Sequence, residues 1–464
     1  MTAAGVPTRP WERTFGPETL VDLWILQAAR QRHRRRGDGG RSSLDSLVHG
    51  DALAEHAAEG LDPSLGFTVG LARALLGLGM PAQRVEEALE RLATALGLDV
   101  EANSTPTGLI VTMSRVGATK PEDVRTRVVR VEPGAPDLER LSALHDLVGR
   151  VERKELTPGD AARRLQAILE RPPRYGSFSS VLCFGILSAC VAVILGGSGL
   201  DIPIAGMLGL IVGALDGAGQ RLPAMGRLLP SVAAFTVSFL ASLFAWQGVP
   251  VRDSVVLIAG IVVLLPGLTV TTAILELATA NLVSGTARLM GGFVTFLQLG
   301  FGIALGAKAV EILPRIAAPP APEPLPGWVA IAATMISALA YTVLLRARPR
   351  DLWWILVAVS IALLGSQIGG RVLGPELGAF VGALALATAS HAFARIWDRP
   401  VNMMLAPGIL LLVPGSIGFL SIQSLLENDP QTAVATAFRM ALVAMALAAG
   451  ILVATAAVPP RRAL

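Results

Sequence analysis

From residue 178 onward the chain is a succession of long apolar runs separated by short loops, whereas before residue 175 short helical and strand-like periodicities alternate. The apolar runs cover 178–197, 202–217, 228–247, 254 to about 270, 286–310, 327–345, 352–368, 376–393, 401 to about 420 and 433–458. There are ten, each long enough to span a bilayer or nearly so. A proline-rich stretch, 313–326, divides them five and five and reads as an extended linker. Upstream, helical periodicity predicts helices over Phe67–Leu78, Pro81–Leu96, Asp137–Arg153 and Thr157–Arg171, the last with Thr157 as cap and Pro158 in the first turn. Alternation predicts strands over Asp99–Asn103, Leu109–Met113 and Thr126–Val131, the first two joined by a Pro106-Thr107-Gly108 turn. Residues 1–60 read as a weakly ordered basic region apart from a helical pattern over Thr19–Arg32. The division is then a soluble α+β domain (61–175), a first membrane repeat (176–312), the linker (313–326) and a second repeat (327–464). The expected fold class is a mainly α polytopic membrane protein with about ten transmembrane helices in two inverted five-helix repeats, preceded by a small α+β soluble domain.

The repeat is suggested by a local echo. From Leu264 the chain reads LLPGLTVTTAILELATANLVSGTARLMGG, and from Leu412 it reads LVPGSIGFLSIQSLLENDPQTAVATAFRM. Pro266-Gly267 matches Pro414-Gly415, and an arginine follows each break, Arg288 in the first copy and Arg439 in the second. Proline removes a helix hydrogen bond and glycine tolerates the turn that follows. At membrane depth such a break persists only where it is buried in protein or lines a cavity. In the first copy Asn281, Arg288, Thr295 and Gly302 recur every seven residues, with Ser284, Gly292 and Gly306 close to the same stripe. Small residues and hydroxyls there can serve helix packing, but an arginine and an asparagine exceed what packing needs. Five spans separate equivalent positions, so the second copy must lie upside down, with Arg288 approaching from inside and Arg439 from outside. The full alignment stays open: the breaks pair the third span with the eighth, while the glycine ladders 209/213/217 and 374/378/382 pair the second with the eighth.

Composition narrows the picture. With 464 residues, 52% of them hydrophobic, and a mean hydropathy of +0.58, the chain is too apolar for an ordinary soluble protein. The N-terminus lacks an apolar signal core, and arginines concentrate in the loops on the side of the soluble domain. Both termini are therefore expected in the cytoplasm of a multi-pass cell-membrane protein. Cys183 and Cys190 sit in one apolar run and read as small buried hydrophobes. The basic cluster Arg30–Arg41 could meet anionic lipid or nucleic acid, but reads as a solvated linker, and no nucleic-acid partner is expected. None of the five histidines has a metal-ligand spacing, and neither a GxxxxGK[ST] loop nor a GxSxG elbow occurs. Arg84, Glu86 and Glu87 read as the wet face of a helix. No enzyme, metal or cofactor is expected.

The runs GMPAQRVEEALERLATALGL, PTGLIVTM, ELTPGDAARRLQAI, VVLLPGLTVTTAILELATANLVSGTARL and APGILLLVPGS resemble the threonine/serine exporter family of bacteria and fungi. The likeness runs from about Phe67 to the C-terminus and is most specific in the membrane segment. It implies ten spans, a cytoplasmic N-terminal domain, and export of small hydroxy amino acids driven by the proton gradient. Some relatives split the halves into separate chains and are associated with dicarboxylate export. A dicarboxylate such as succinate therefore stays an alternative, as does a membrane-anchored enzyme or sensor. Within the expected exporter, Glu276 is the only acidic residue between the first break and Arg288 and is the candidate proton-coupling carboxylate. Its competitors Asp216 and Glu376 lie near span ends. Asn281, Ser284 and Thr295 are candidates to line the substrate path, with donors and acceptors for a zwitterion. Arg288 and Arg439 are candidates to meet its carboxylate as inverted counterparts. The expected partners are the small solute, protons and the lipid bilayer, with homo-oligomerisation left open.

Overall fold

The structure is a computed structural model that describes residues 63–118, 120, 123–311 and 325–459. The expected helix Thr19–Arg32, the basic cluster Arg30–Arg41 and most of the proline-rich linker lie outside the described residues.

The soluble domain begins with α1 (Pro63–Gly77) and α2 (Ala82–Leu96). Pro81 precedes the first turn of α2, and Gly97 ends it in the left-handed region at φ 69°, where a side chain would be strained. Val85, Leu89 and Leu92 are its buried stripe. Strands β1 (Leu98–Thr105), β2 (Gly108–Arg115) and β3 (Arg125–Arg130) form an antiparallel sheet in the order β1-β2-β3, with Thr105 opposite Gly108 across a two-residue turn. Both of the first two strands are longer than the alternation predicted, because cross-strand pairing holds polar ends that carry no hydrophobic signal. Leu109, Val111 and Met113 bury one face of β2, and α1 packs against that strand. Helices α3 (Leu138–Glu152), capped by Asp137, and α4 (Pro158–Leu169), capped by Thr157, complete the domain.

The membrane part comprises α5 (Ser177–Ile194), α6 (Asp201–Arg221), α7 (Pro223–Trp246), α8 (Asp253–Ile261), α9 (Gly267–Ala278), α10 (Leu282–Glu311), α11 (Gly327–Leu344), α12 (Leu352–Leu373), α13 (Pro375–Trp397), α14 (Asn402–Leu412), α15 (Gly415–Leu426) and α16 (Pro430–Ala457). Among the described residues nine helices are long and apolar enough to cross a membrane, with Asn402–Leu426 taken as one. The bent pair Asp253–Leu264 and Gly267–Ala278, inclined by 60°, would make a tenth. Lipid-like exposure is frequent on these helices: Phe293, Phe301 and Leu305 of α10 are at least half exposed. Trp328 and Trp353, both at helix starts, and Trp397 at a helix end sit where amphipathic rings favour an interface.

Glycine permits the close approach of α10 to α7. A Cβ on Gly302 would lie 2.3 Å from the Ser231 carbonyl oxygen, and one on Gly306 would lie 2.6 Å from that of Phe235. These two members of the predicted stripe are thus packing residues, bringing α10 onto α7. The glycine ladders differ in partner. Gly209 and Gly213 of α6 meet α5, whereas Gly378 and Gly382 of α13 meet α12. The third span packs on the fifth, and the eighth on the tenth.

The soluble domain is seated on the membrane part. The Leu138 N–H donates to the Leu345 carbonyl (2.9 Å), and Asp137 and Glu139 face Arg346 and Arg348 in the loop between α11 and α12. Arg174 closes two bonds on Glu139. A continuous buried apolar cluster runs from Phe67 and Leu144 in the soluble domain to Leu187, Tyr341 and Ile355 in the membrane helices.

Candidate functional site

The two helix breaks meet. Pro266 (φ −79°, ψ 34°) and Pro414 (φ −81°, ψ 29°) have nearly identical backbones, and each stands immediately before a twelve-residue helix. A Cβ on Gly267 would lie 3.0 Å from the Gly415 nitrogen, and one on Gly415 would lie 3.5 Å from the Gly267 Cα. The glycines are therefore required for mutual approach of two chain segments at the middle of the helix bundle. Fourteen residues past each proline the chain turns through a left-handed residue, Ala280 (φ 63°) or Asn428 (φ 60°), before the following long helix.

At the end of α9 the side chain of Glu276 is fully buried. Its Oε1 accepts from the Ala82 backbone N–H at 3.0 Å and from Arg288 Nε at 3.1 Å, and its Oε2 accepts from the Ser284 hydroxyl at 2.9 Å. Arg288 Nε lies 3.0 Å from Oε2 as well, with the side chain only 11% exposed. The remaining arm of the guanidinium donates to the Met80 carbonyl, 3.1 Å from Nη2. A carboxylate with this many donors is satisfied without water, which is what burial of an ion requires. Ala82 opens α2, so the positive end of that helix points at the carboxylate.

A cavity of about 110 Å³ lies between α9 (Thr271, Thr272), α14 (Asn402, Ala406) and the α1–α2 turn (Met80, Pro81); it shares that turn with the ion pair, but neither Glu276 nor Arg288 lines it. A second, of about 160 Å³, continues past Arg84, Thr279 and Thr455. The Asn402 amide nitrogen is 3.1 Å from Met80 Sδ. The soluble domain thus forms one wall of both cavities.

The sequence candidates divide accordingly. Pro266, Gly267, Pro414 and Gly415 come together at the breaks, and Glu276, Ser284 and Arg288 come together under α2. Glu276 is not a solvated helix-end residue. Asn281 turns back on its own loop, its amide 3.3 Å from the Thr279 carbonyl, and Thr295 donates to Gly291 of its own helix. Neither lines the cavities, where Thr271, Thr272 and Asn402 supply the polar atoms instead. Arg439, ten residues into α16, is half exposed and pairs with Glu376 in the first turn of α13 at 2.7 Å. Its expected correspondence with Arg288 needs correction: Arg288 lies 22 residues past its proline and Arg439 lies 25 past the other, so the register of the breaks sets Thr436 opposite Arg288. The echo matched residue type and overlooked nearly one helical turn. Asp216 accepts from Gln220 and stands apart from the pair. The Arg84, Glu86 and Glu87 group is not merely a wet helix face. Glu86 accepts from the Ser104 backbone N–H at 2.7 Å, its carboxyl pushed up chiefly by burial, while Arg84 turns toward the second cavity and pairs with Glu87.

Comparison with known proteins decides the family. A profile described as a threonine/serine exporter matches residues 66–310, and a second, described as threonine/serine exporter ThrE, matches 330–457. The chain belongs to the threonine/serine exporter family. Curated relatives of this family member include pheromone-regulated membrane protein 10 of Pichia sorbitophila, 25% identical over 89% of this chain, and the protein of the same name from Candida albicans, 27% identical over 89%. The matches span 41% and 36% of those proteins' own lengths. No solved structure matches. The family is one of membrane exporters, and a small transported solute is what it implies.

Proposed function

We propose that this exporter moves small hydroxy amino acids, threonine and serine, out of the cytoplasm, driven by the proton gradient, with Glu276 as the coupling carboxylate. The observation that carries the reading is the buried Glu276–Arg288 pair at the end of α9, the helix that leaves one of two abutting breaks and lines a cavity along its length. A buried carboxylate whose counter-charge can be drawn away gains a proton when it loses that partner, because an isolated charge in a low dielectric is costly. Arg288, released from Glu276, then offers a planar two-donor cation to a substrate carboxylate. Thr271 and Thr272 line the cavity with the Asn402 side chain; the Thr271 hydroxyl donates to the Gly267 carbonyl and keeps its acceptor capacity, and the Asn402 amide, now on Met80, is released when that turn moves, so together they can supply the polar contacts that a small zwitterion with a hydroxyl needs. The breaks suit two inverted repeats that rock about their meeting point, with the soluble domain on the cytoplasmic side. Arg346, Arg348 and Arg399, all on the docked face, support that orientation.

The test is export itself. A bacterial strain lacking its own threonine exporters, fed a threonine-containing dipeptide, accumulates threonine. Expression of this chain is expected to lower intracellular threonine and raise it outside, and Glu276→Gln to lose the dependence on external pH. Unchanged intracellular threonine with the protein present in the membrane refutes the substrate assignment. A Glu276→Gln variant with the wild-type pH profile refutes the coupling role.

A further inference from the structure

We infer that the Met80-Pro81-Ala82 turn of the soluble domain is a built-in lid that occupies an amino-acid binding site by imitating the backbone of the substrate. The turn presents one carbonyl oxygen and one N–H. The carbonyl of Met80 takes an arm of Arg288, and the N–H of Ala82 takes an oxygen of Glu276. An α-amino acid carries the same two functions in stronger form, a carboxylate for the guanidinium and an ammonium for the carboxylate. The turn's two bonds carry charge on one side only, whereas a free amino acid adds a full opposite charge at both Arg288 and Glu276, so it can compete with the turn. The inference rests on the amino-acid reading above and deepens it: Arg288 and Glu276 recognise the α-carboxylate and α-ammonium, while the adjoining cavity takes the side chain.

The surroundings fit a lid that moves as a unit. The turn is anchored from behind by α1 and α2 and walls both cavities, and Met80 also engages Asn402 on the facing helix α14. Elsewhere the soluble domain meets the membrane part through polar pairs at loops, Asp137–Arg346 (3.6 Å), Glu139–Arg348 (3.7 Å) and Ser142–Arg399 (3.5 Å), which cost little to separate. The buried apolar cluster of Leu144, Tyr341 and Ile355 and the bond from the Leu138 N–H to the Leu345 carbonyl hold more firmly, so the lid swings about that docked side instead of leaving the membrane part. A closed lid also lowers the apparent affinity for cytoplasmic amino acid by the fraction of molecules that are open.

Ala82→Pro tests the idea with little disturbance of the fold. Proline is accepted in the first turn of a helix, and Pro81 already has the extended backbone (ψ 145°) that a following proline demands. The change deletes the N–H that reaches Glu276 and adds two ring carbons at a buried position, so Ala82→Val, which adds similar bulk and keeps the N–H, is the control. Spin labels on cysteines at the exposed positions 90 and 456, in the full chain with Cys183 and Cys190 replaced by alanine, report the distance between α2 and the end of α16. The expected result is that threonine, but not succinate, adds a longer-distance population. Ala82→Pro should lower the threonine concentration for half-maximal opening roughly tenfold or more, the size expected for one hydrogen bond to a charged group. If labelled protein transports threonine in proteoliposomes while neither threonine nor Ala82→Pro changes the distance, the lid is overturned and the exporter reading stands. If succinate opens the lid and threonine does not, the imitation of an amino acid is overturned together with the substrate assignment. If Ala82→Pro opens it and threonine is neither bound nor carried, the lid survives as a gate and the amino-acid site falls.

Discussion

Replacing Gly267 by alanine introduces one methyl group at the point where the two halves touch. Its Cβ would stand 1.8 Å from Val413 Cγ1, 3.0 Å from the Gly415 nitrogen and 3.1 Å from the Gly415 Cα. The first contact is with a side chain that is stiff at χ1, and the others are with backbone, so the segments must move apart. Overpacking of this kind costs about 1–3 kcal/mol, and here it also separates the two helix starts. The expected outcome is a fall of several degrees in the apparent melting temperature of the detergent-purified protein, with transport in proteoliposomes largely lost. Val413→Ala in the same chain removes the worst contact and leaves the backbone ones, so it should restore part of the stability, with a coupling of at least about 0.5 kcal/mol between the two changes. Gly415→Ala should cost less, since its Cβ meets Leu265 Cβ at 3.1 Å and the Gly267 backbone only at 3.5 Å. A Gly267→Ala protein as stable and active as wild type, or a double variant with no recovery, refutes the meeting of the breaks.

Glu276→Leu leaves Arg288 nearly buried without its counter-charge and should destabilise the protein by about 3–5 kcal/mol. The Glu276→Leu/Arg288→Met double variant should be more stable than that single variant in thermal unfolding, and equal stability would mean that the pair is not coupled. The hydrogen bond from Arg174 holds the Glu139 carboxyl below its ordinary value of 4.5. Arg174 belongs to the same domain as Glu139, so what the ionised Glu139 adds to docking goes through Arg348; it is fully present above pH 4.5 and is lost as the pH falls through the depressed value. Spin-label distances between the domains should accordingly stay constant down to that pH and lengthen below it, and Glu139→Gln should weaken docking at neutral pH and flatten this part of the profile. Single cysteines at 288 and 439, in a chain lacking Cys183 and Cys190, should differ in intact cells: a membrane-impermeant thiol reagent should label 439, whose native side chain is half exposed, and spare 288. Equal labelling, or the reverse pattern, contradicts the orientation.

Much of the architecture is written locally. Pro81, Gly97, Thr157 and Pro158 are punctuation that acts within one turn of its own position, so the soluble helices start and stop where these residues predict. Long apolar runs locate the membrane helices for a similar reason, because burial in lipid is a property of each segment. Pro266-Gly267 and Pro414-Gly415 also announce their breaks, but not that the breaks touch, since proximity between residues 148 apart depends on how whole helices pack. Glu276 and Arg288 could be picked out as isolated charges in apolar surroundings. Their ion pair was less legible, because the turn at Ala280 brings the end of α9 back beside the start of α10. Met80 and Ala82 lie in a run that marks the family, but nothing in their side chains marked them for the site. They act through a carbonyl and an N–H that every residue but proline possesses, and only the docking of α2 on the membrane helices gives those two groups their partners.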